Sequence, residues 1–208
     1  MRRSEYESHD LADFAHVTET ATVGYLGLAT ADGYPSVVPL NFVAIAGQIY
    51  FHGAVKGEKY DILKTGPRVT FSATLPYSYI PSHWISPKNA CGGTMLYKSV
   101  LIKGRAKLVN NSREKVAALR RLTEKYQPEG GYEPIAPKGD AYQSVLKRTA
   151  VFRVDPDQID VRVNVRQNKS VPYRRRLIAR LEERGEPLDL ATAEVLKNML
   201  DGTERMSP

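Results

Sequence analysis

Three strand-like runs separated by two very short turns constrain the fold of this chain more than any other feature. The runs are rich in apolar and β-branched residues and lie at 22–30, 35–45 and 48–52. Asp32-Gly33 separates the first two runs, and this dipeptide is typical of a tight hairpin because the turn needs positive φ. Ala46-Gly47 separates the second run from the third. The sequence therefore predicts three successive antiparallel strands before residue 53.

The rest of the chain continues this mainly β pattern. Further strands are predicted at 68–75, at 97–109 and, as one or two strands divided at Asp155-Pro156, at 149–163. A long connection is predicted at 76–94, and helices at 8–17 (capped by Ser8), 56–64, 111–126 (capped by Asn111), 139–147, 173–184 (ending at Gly185) and 188–200. Strands do not alternate with crossover helices, so we expect an α+β antiparallel barrel rather than a parallel sheet. Pro39 cannot donate a ladder hydrogen bond and predicts a sheet edge or a bulge.

Composition excludes several classes of protein. The 208 residues suit one domain with appendages or two small domains, and the single cysteine, Cys91, rules out an intrachain disulfide or a cysteine-based zinc site. The four histidines are scattered, so no metal site is expected. No run of about 18 apolar residues predicts a membrane span, and no secretory signal is recognisable, so a cytoplasmic location is expected.

The chain is basic, with a formal net charge of +7 and a pI of about 9.4. Such a charge suits nucleic acid, an anionic cofactor or an acidic partner. The segment 162–185 is the most basic part of the chain. It reads either as a solvated helix face or as a DNA-binding surface, but no recognisable groove-entering element accompanies it, so nucleic acid is the less favoured partner.

The stretch "IYFHGAVKGEKYDIL" at 49–63 has the components of a phosphate site. Gly53 and Gly57 allow close approach of the backbone to a ligand. If the following helix begins near residue 56, Lys56 and Lys59 share one face of its first turn. The alternative is a loop with two exposed lysines.

Longer motifs give this stretch a family context. "FHGAVKGEKYDILKTGPRV" after "PSVVPLNFVAI" resembles the core of the pyridoxamine 5′-phosphate oxidase-like superfamily, the FMN-binding split barrels. "SYIPSHWISPKNACGGTMLYKSVLIKGRAKLV", "KYQPEGGY" and "QNKSVPYRRRLIARLEERG" are similar to the branch that includes the 5-nitroimidazole-resistance (Nim-type) flavoproteins. The resemblance extends from about residue 15 to 185. The basic C-terminal substrate clamp of true pyridoxamine phosphate oxidases is not recognisable, which argues against that substrate.

The resemblance implies a fold, a cofactor and a set of site residues. The fold would be a six-stranded antiparallel split β-barrel at 1–165, with peripheral helices and a basic helical extension at 166–208 packed on the barrel. The protein would be a homodimer with FMN at the interface, and would be an oxidoreductase that reduces a small nitroaromatic-like compound. The cofactor-binding residues implied are Val38, Pro39, Leu40, Asn41, Phe51, His52, Gly53, Lys56, Gly57, Lys59, Tyr97, Lys98, Ser99, Gln167 and Asn168.

Two questions stay open at this point. His52 is either a strand-end histidine bonded to backbone or a catalytic group beside the flavin that positions substrate or donates a proton. The same architecture also hosts F420 and haem, and some relatives resemble regulators, so F420- or haem-binding and a non-catalytic flavin-binding role are the alternatives to an FMN enzyme.

Overall fold

The computed structural model describes residues 4–86, 88–136 and 140–205. The strands are β1 (Glu7–Ser8), β2 (Gly24–Ala29), β3 (Pro35–Leu40), β4 (Phe42–Ile45), β5 (Gln48–Ala54), β6 (Arg68–Ile80), β7 (Thr94–Leu108) and β8 (Thr149–Asn164). The helices are α1 (Leu11–Thr20), α2 (Glu58–Leu63), α3 (Ser112–Tyr126), α4 (Asp140–Arg148), α5 (Val171–Arg184) and α6 (Asp189–Arg205). The expected fold class, a mainly antiparallel sheet with several helices, is confirmed.

The chain forms two compact units. We call residues 10–74 and 100–160 the sheet unit. Residues up to 9, 75–99 and from 161 onward form the helical unit. The predicted division into 1–165 and 166–208 stays a prediction.

In the sheet unit the strands follow the order β3-β2-β6-β7-β8-β5-β4. The sheet is open, because β3 and β4 stand at the two ends of this order. Pro39 therefore lies on an edge strand, as its missing N–H predicted. The turn between β4 and β5 has positive φ at both Ala46 (51°) and Gly47 (80°), which is the hairpin geometry that the sequence indicated.

Four fully buried phenylalanines fill the core of the sheet unit. Phe42 meets Phe71 edge-on with ring centroids 4.9 Å apart, and Phe51 stacks on Phe152 at 5.6 Å. Each such ring contributes about 1.5–3 kcal/mol by leaving water. Phe42 pairs with Phe51 across β4 and β5, so this core holds the end of β5 next to the start of β4.

Two strand predictions were wrong. The run at 35–45 is not one strand, because the chain leaves the ladder at Asn41 between β3 and β4. The last strand is not divided at Asp155-Pro156, since β8 is continuous from 149 to 164. A Cβ on Gly104 would lie 2.2 Å from the Asp155 carbonyl oxygen, so glycine at this position of β7 lets that backbone approach closely.

Boundaries elsewhere also differ from expectation. The first helix is capped by Asp10, whose Oδ1 accepts a hydrogen bond from the Ala12 N–H at 2.8 Å, and Ser8 belongs to β1. The strand predicted at 68–75 is β6, which continues to Ile80 and so shortens the connection predicted at 76–94. That connection contains two short 3₁₀ turns, Ser82–Trp84 and Ala90–Gly92.

In the helical unit, α5 and α6 pack on those parts of β6, β7 and β8 that belong to the same unit. Their shared core includes Ile80, Leu96, Val165, Leu181 and Leu196, all almost fully buried. Helix α5 ends at Gly185 with a φ of 64°, as the sequence predicted. The Asp189 carboxylate at the start of α6 joins Ser78 and Arg184 in a buried network.

Candidate functional site

The end of β5 places His52 and Gly53 where the strand leaves the core. Phe51 is fully buried against Phe152, so its side chain belongs to the core and faces away from a surface ligand. His52 pairs with Val151 of β8, lies on the opposite face of the strand from Phe51 and is partly solvent-exposed. The strand thus presents an imidazole and a glycine backbone at one corner of the sheet unit.

Lys59 covers the backbone of this corner. A Cβ placed on Gly53 would lie 3.3 Å from both Cε and Nζ of Lys59, so the lysine side chain reaches back over the glycine. Among the described residues, neither Lys56 nor Lys59 forms an ion pair with a carboxylate. The Lys59 ammonium therefore stands beside Gly53 without a carboxylate partner among the described residues.

The expectation that Lys56 and Lys59 share a helical face was wrong. Helix α2 begins only at Glu58, and Lys56 lies on the loop before it. The reason is Gly57, whose φ of 97° and ψ of 166° are incompatible with a helix. Lys56 is exposed on that loop, so the two lysines belong to different segments.

The surroundings of His52 keep its imidazole neutral near pH 7. Desolvation, with a smaller effect from the Lys59 charge, lowers the pKa of His52 below 6.5. A neutral imidazole can accept a proton or a hydrogen bond at one nitrogen and donate at the other.

Residues 38–41 border the same corner. Val38 is half-buried, Leu40 is buried, and Pro39 and Asn41 are exposed. Pro39 pairs with Tyr25 of β2, and the other edge of β3 has no partner strand among the described residues. Phe42 pairs with Phe51, so Asn41 directly precedes the residue that lies opposite Phe51.

No sequence pattern indicated the side chains that hold this break at Asn41. The Tyr126 hydroxyl accepts a hydrogen bond from the Phe42 N–H at 3.0 Å and donates to the Thr22 carbonyl at 2.9 Å. Lys125 donates to the Phe42 carbonyl at 3.1 Å, and burial lowers its pKa to about 8. Tyr126 lies 84 residues from Phe42, so no local pattern could have indicated the contact.

The remaining predicted residues belong to the helical unit. Tyr97, Lys98 and Ser99 are half-buried on β7, and Asn168 is exposed. The Gln167 amide already serves the local backbone: it donates to the carbonyls of Glu5 and Val163 and accepts from the Val165 N–H. The structure therefore brings together His52, Gly53 and Lys59 and leaves Gln167 engaged elsewhere.

Two features are absent from the described residues. No cluster of three or more histidine, cysteine or acidic side chains could hold a metal ion. None of the helices there combines the length and the apolar character needed to cross a bilayer.

Comparisons with known proteins agree with the fold. The family model described as pyridoxamine 5′-phosphate oxidase matches residues 12–163. A search of the curated proteins found no match. Among solved structures, a flavocytochrome from Azotobacter vinelandii is 20% identical with a TM-score of 0.66, covering 79% of this chain and 72% of that one.

Two other structures are similar. A candidate 5-nitroimidazole antibiotic resistance protein from Bacteroides thetaiotaomicron is 20% identical with a TM-score of 0.61, covering 76% of this chain and 86% of that one. An FAD- and haem-binding protein from Mycobacterium smegmatis is 15% identical with a TM-score of 0.63, covering 76% and 73%. At these identities the likeness concerns the fold.

Proposed function

The chain belongs to the pyridoxamine 5′-phosphate oxidase family, and we propose from this premise that it is an FMN-dependent oxidoreductase whose cofactor phosphate binds at Gly53, Lys56 and Lys59. The observation that carries the proposal is the position of Lys59, which reaches over the Gly53 backbone without a carboxylate partner among the described residues. Lysine is a common point-charge ligand of phosphate, and a glycine allows the ligand to come close.

The residues of the corner fit the other parts of a flavin. Pro39 is exposed on an edge strand and Asn41 is exposed just after it, and backbone groups without a ladder partner can meet the polar rim of a flat ring there. Val38 offers apolar surface beside them. A flavin, when bound, supplies the electron exchange with the substrate, and the protein supplies position and electrostatics.

The substrate class rests on the resemblance to Nim-type flavoproteins and on the likeness in fold to the Bacteroides protein. We propose a small nitroaromatic-like compound. His52 is the residue assigned to orient it, because its neutral imidazole can donate one hydrogen bond and accept another beside the phosphate corner.

A second copy of the chain completes the proposed site. The corner is open to solvent at His52, Pro39 and Asn41, and a bound ring would stay half-exposed without a covering surface. We therefore propose a homodimer with one FMN at each of two equivalent positions. Mass measurement in solution, with and without FMN, tests this part separately.

Titration of the apo-protein with FMN and with riboflavin tests the phosphate assignment. We expect Lys59→Met to weaken FMN binding about 10–100-fold, since a hydrogen bond to a charged group contributes about 1.5–3 kcal/mol. Riboflavin lacks the phosphate, so its affinity should stay unchanged. Lys64→Met is the matched control, because Lys64 lies at the end of α2 and already pairs with Asp61; it should change FMN binding less than about twofold.

Equal losses for FMN and riboflavin, or an unchanged FMN affinity in Lys59→Met, would refute the phosphate assignment. Tighter binding of F420 or haem than of FMN in the same titration would reject FMN as the cofactor. If the flavin of the loaded protein, once reduced, is not reoxidised faster by nitroaromatic compounds than by buffer, the substrate class is wrong and the non-catalytic reading gains support.

A further inference from the structure

One cavity lies entirely within the helical unit and has no role in the flavin proposal. Its volume is about 430 Å³, which is in the range of small-molecule sites. Among the residues that line it are Tyr6, Cys91, Asn164, Arg166, Lys169 and Tyr173. Among the described residues that line it there is no aspartate or glutamate, whereas two side chains are cationic.

Asn164 is an unusual component of this wall. Its side chain is 94% buried, and its Nδ2 donates to the Met95 carbonyl at 3.2 Å. Its Oδ1 is shielded from solvent and accepts no hydrogen bond from a described residue. Buried acceptors are almost always satisfied, so this oxygen calls for a donor that the described chain does not provide.

Arg166 shows a second irregularity in the same wall. Its φ of 61° lies in the left-handed region, where a non-glycine residue is strained. One guanidinium nitrogen donates to the Gly92 carbonyl at 3.3 Å, while Nε has no acceptor among the described residues. Strain of this kind concentrates at ligand sites, where a particular side chain is needed in spite of its backbone cost.

We propose that this cavity binds a small organic acid that carries a hydroxyl or amide N–H beside its carboxylate. The carboxylate of the acid meets Arg166 and Lys169. The hydroxyl or amide N–H of the acid donates to Asn164 Oδ1 after a small adjustment of the wall. The apolar body of the acid lies between Tyr6 and Tyr173. The charge of the lining selects an anion, and the orphaned acceptor selects one with an adjacent donor.

Cys91 provides a built-in reporter. It is the only cysteine of the chain, it is exposed, and it lines the cavity. The rate of its alkylation by iodoacetamide, followed by intact-protein mass, therefore measures occupancy without any label or flavin. The probes are salicylate, which has a hydroxyl beside its carboxylate, salicylamide as its uncharged counterpart, and inorganic phosphate.

We expect salicylate to slow the alkylation of Cys91 at least fivefold in a saturable manner, and salicylamide to have no such effect. Arg166→Gln should raise the salicylate concentration for half-protection at least tenfold. Arg166→Gly should do the same while its Tm stays equal to or above that of the wild type, because glycine relieves the strained φ. Lys197→Gln is the control, since Lys197 pairs with Glu182 on the surface of the same unit.

The proposal is overturned if salicylate does not protect Cys91 in a saturable manner, if salicylamide protects Cys91 equally well, or if only phosphate protects it. Unchanged protection in both Arg166 variants would overturn it as well. None of these outcomes depends on flavin binding, so the flavin proposal and this one can fail independently.

Discussion

The hydrogen bonds of the Asp189 carboxylate should make the free energy of unfolding depend on pH. Asp189→Asn should remove that dependence. The Asp189 carboxylate is fully buried and accepts hydrogen bonds from Nε and Nη2 of Arg184 at 2.7 and 2.6 Å, from the Ser78 hydroxyl at 2.5 Å and from the Glu186 N–H at 3.0 Å. Arg184 is the largest cause of a pKa for Asp189 lowered from 3.8 to about 2, against an opposing effect of burial. The network ties the start of α6 to the end of α5 and to β6.

The magnitude follows from linkage. A pKa lowered from 3.8 to about 2 corresponds to about 2.5 kcal/mol of stability, at roughly 1.4 kcal/mol per pH unit. Because the folded-state pKa is depressed, this stability is fully present above pH 5, and is lost as the pH falls through 3.8 toward 2. We expect Asp189→Asn to remove about 2.5 kcal/mol at pH 7, about half of that at pH 3, and very little below pH 2.

Urea unfolding followed by tryptophan fluorescence measures this effect. Trp84 is the only tryptophan, and its ring lies 4.8 Å from the Arg184 guanidinium carbon, so the signal reports the unit that contains the network. Glu182→Gln is the matched control: it removes an exposed pair with Lys197, which should contribute less than about 1 kcal/mol. A difference between wild type and Asp189→Asn that is under 0.5 kcal/mol, or that does not shrink at low pH, would refute the reasoning.

Two further predictions concern the corner at β5. The NMR titration of His52 should have a midpoint below 6.5. Lys59→Met should raise this midpoint, because the Lys59 charge is one cause of the lowered pKa. A midpoint that stays the same in Lys59→Met would show that Lys59 is not near the imidazole in solution. Tyr126→Phe should lower the free energy of unfolding by about 1–3 kcal/mol in calorimetry, since it leaves the Phe42 N–H without its partner. Tyr142→Phe removes an exposed hydroxyl and should cost under about 0.5 kcal/mol; a cost equal to that of Tyr126→Phe would contradict the assignment.

Features set by neighbouring residues were predicted correctly. The Ala46-Gly47 turn joins two antiparallel strands as predicted, with φ of 51° and 80°. Asn111 caps α3 by accepting hydrogen bonds from the N–H groups of Arg113 and Glu114. In both cases the residues that decide the conformation lie within four positions of each other, so a local pattern contains the information.

Features set by distant residues were missed. The break at Asn41 is held by Tyr126, and the continuity of β8 depends on the approach of Asp155 to Gly104. Within the site, Phe51 was assigned to the cofactor, although strand alternation and packing on Phe152 turn it into the core. A pattern along the chain contains no information on which strand lies opposite, and packing against that strand decides the face.

The amino-acid order by itself determined the antiparallel class, the edge position of Pro39, the turns and caps, and the family, because each depends on backbone preferences or on motifs that are contiguous in the chain. Only the tertiary structure decided that Lys59 lies over Gly53, that Gln167 is occupied by local backbone, and that Asn164 and Arg166 face a common cavity. Those relations depend on how separate segments pack, and packing selects contacts by shape, burial and charge in three dimensions rather than by spacing along the chain.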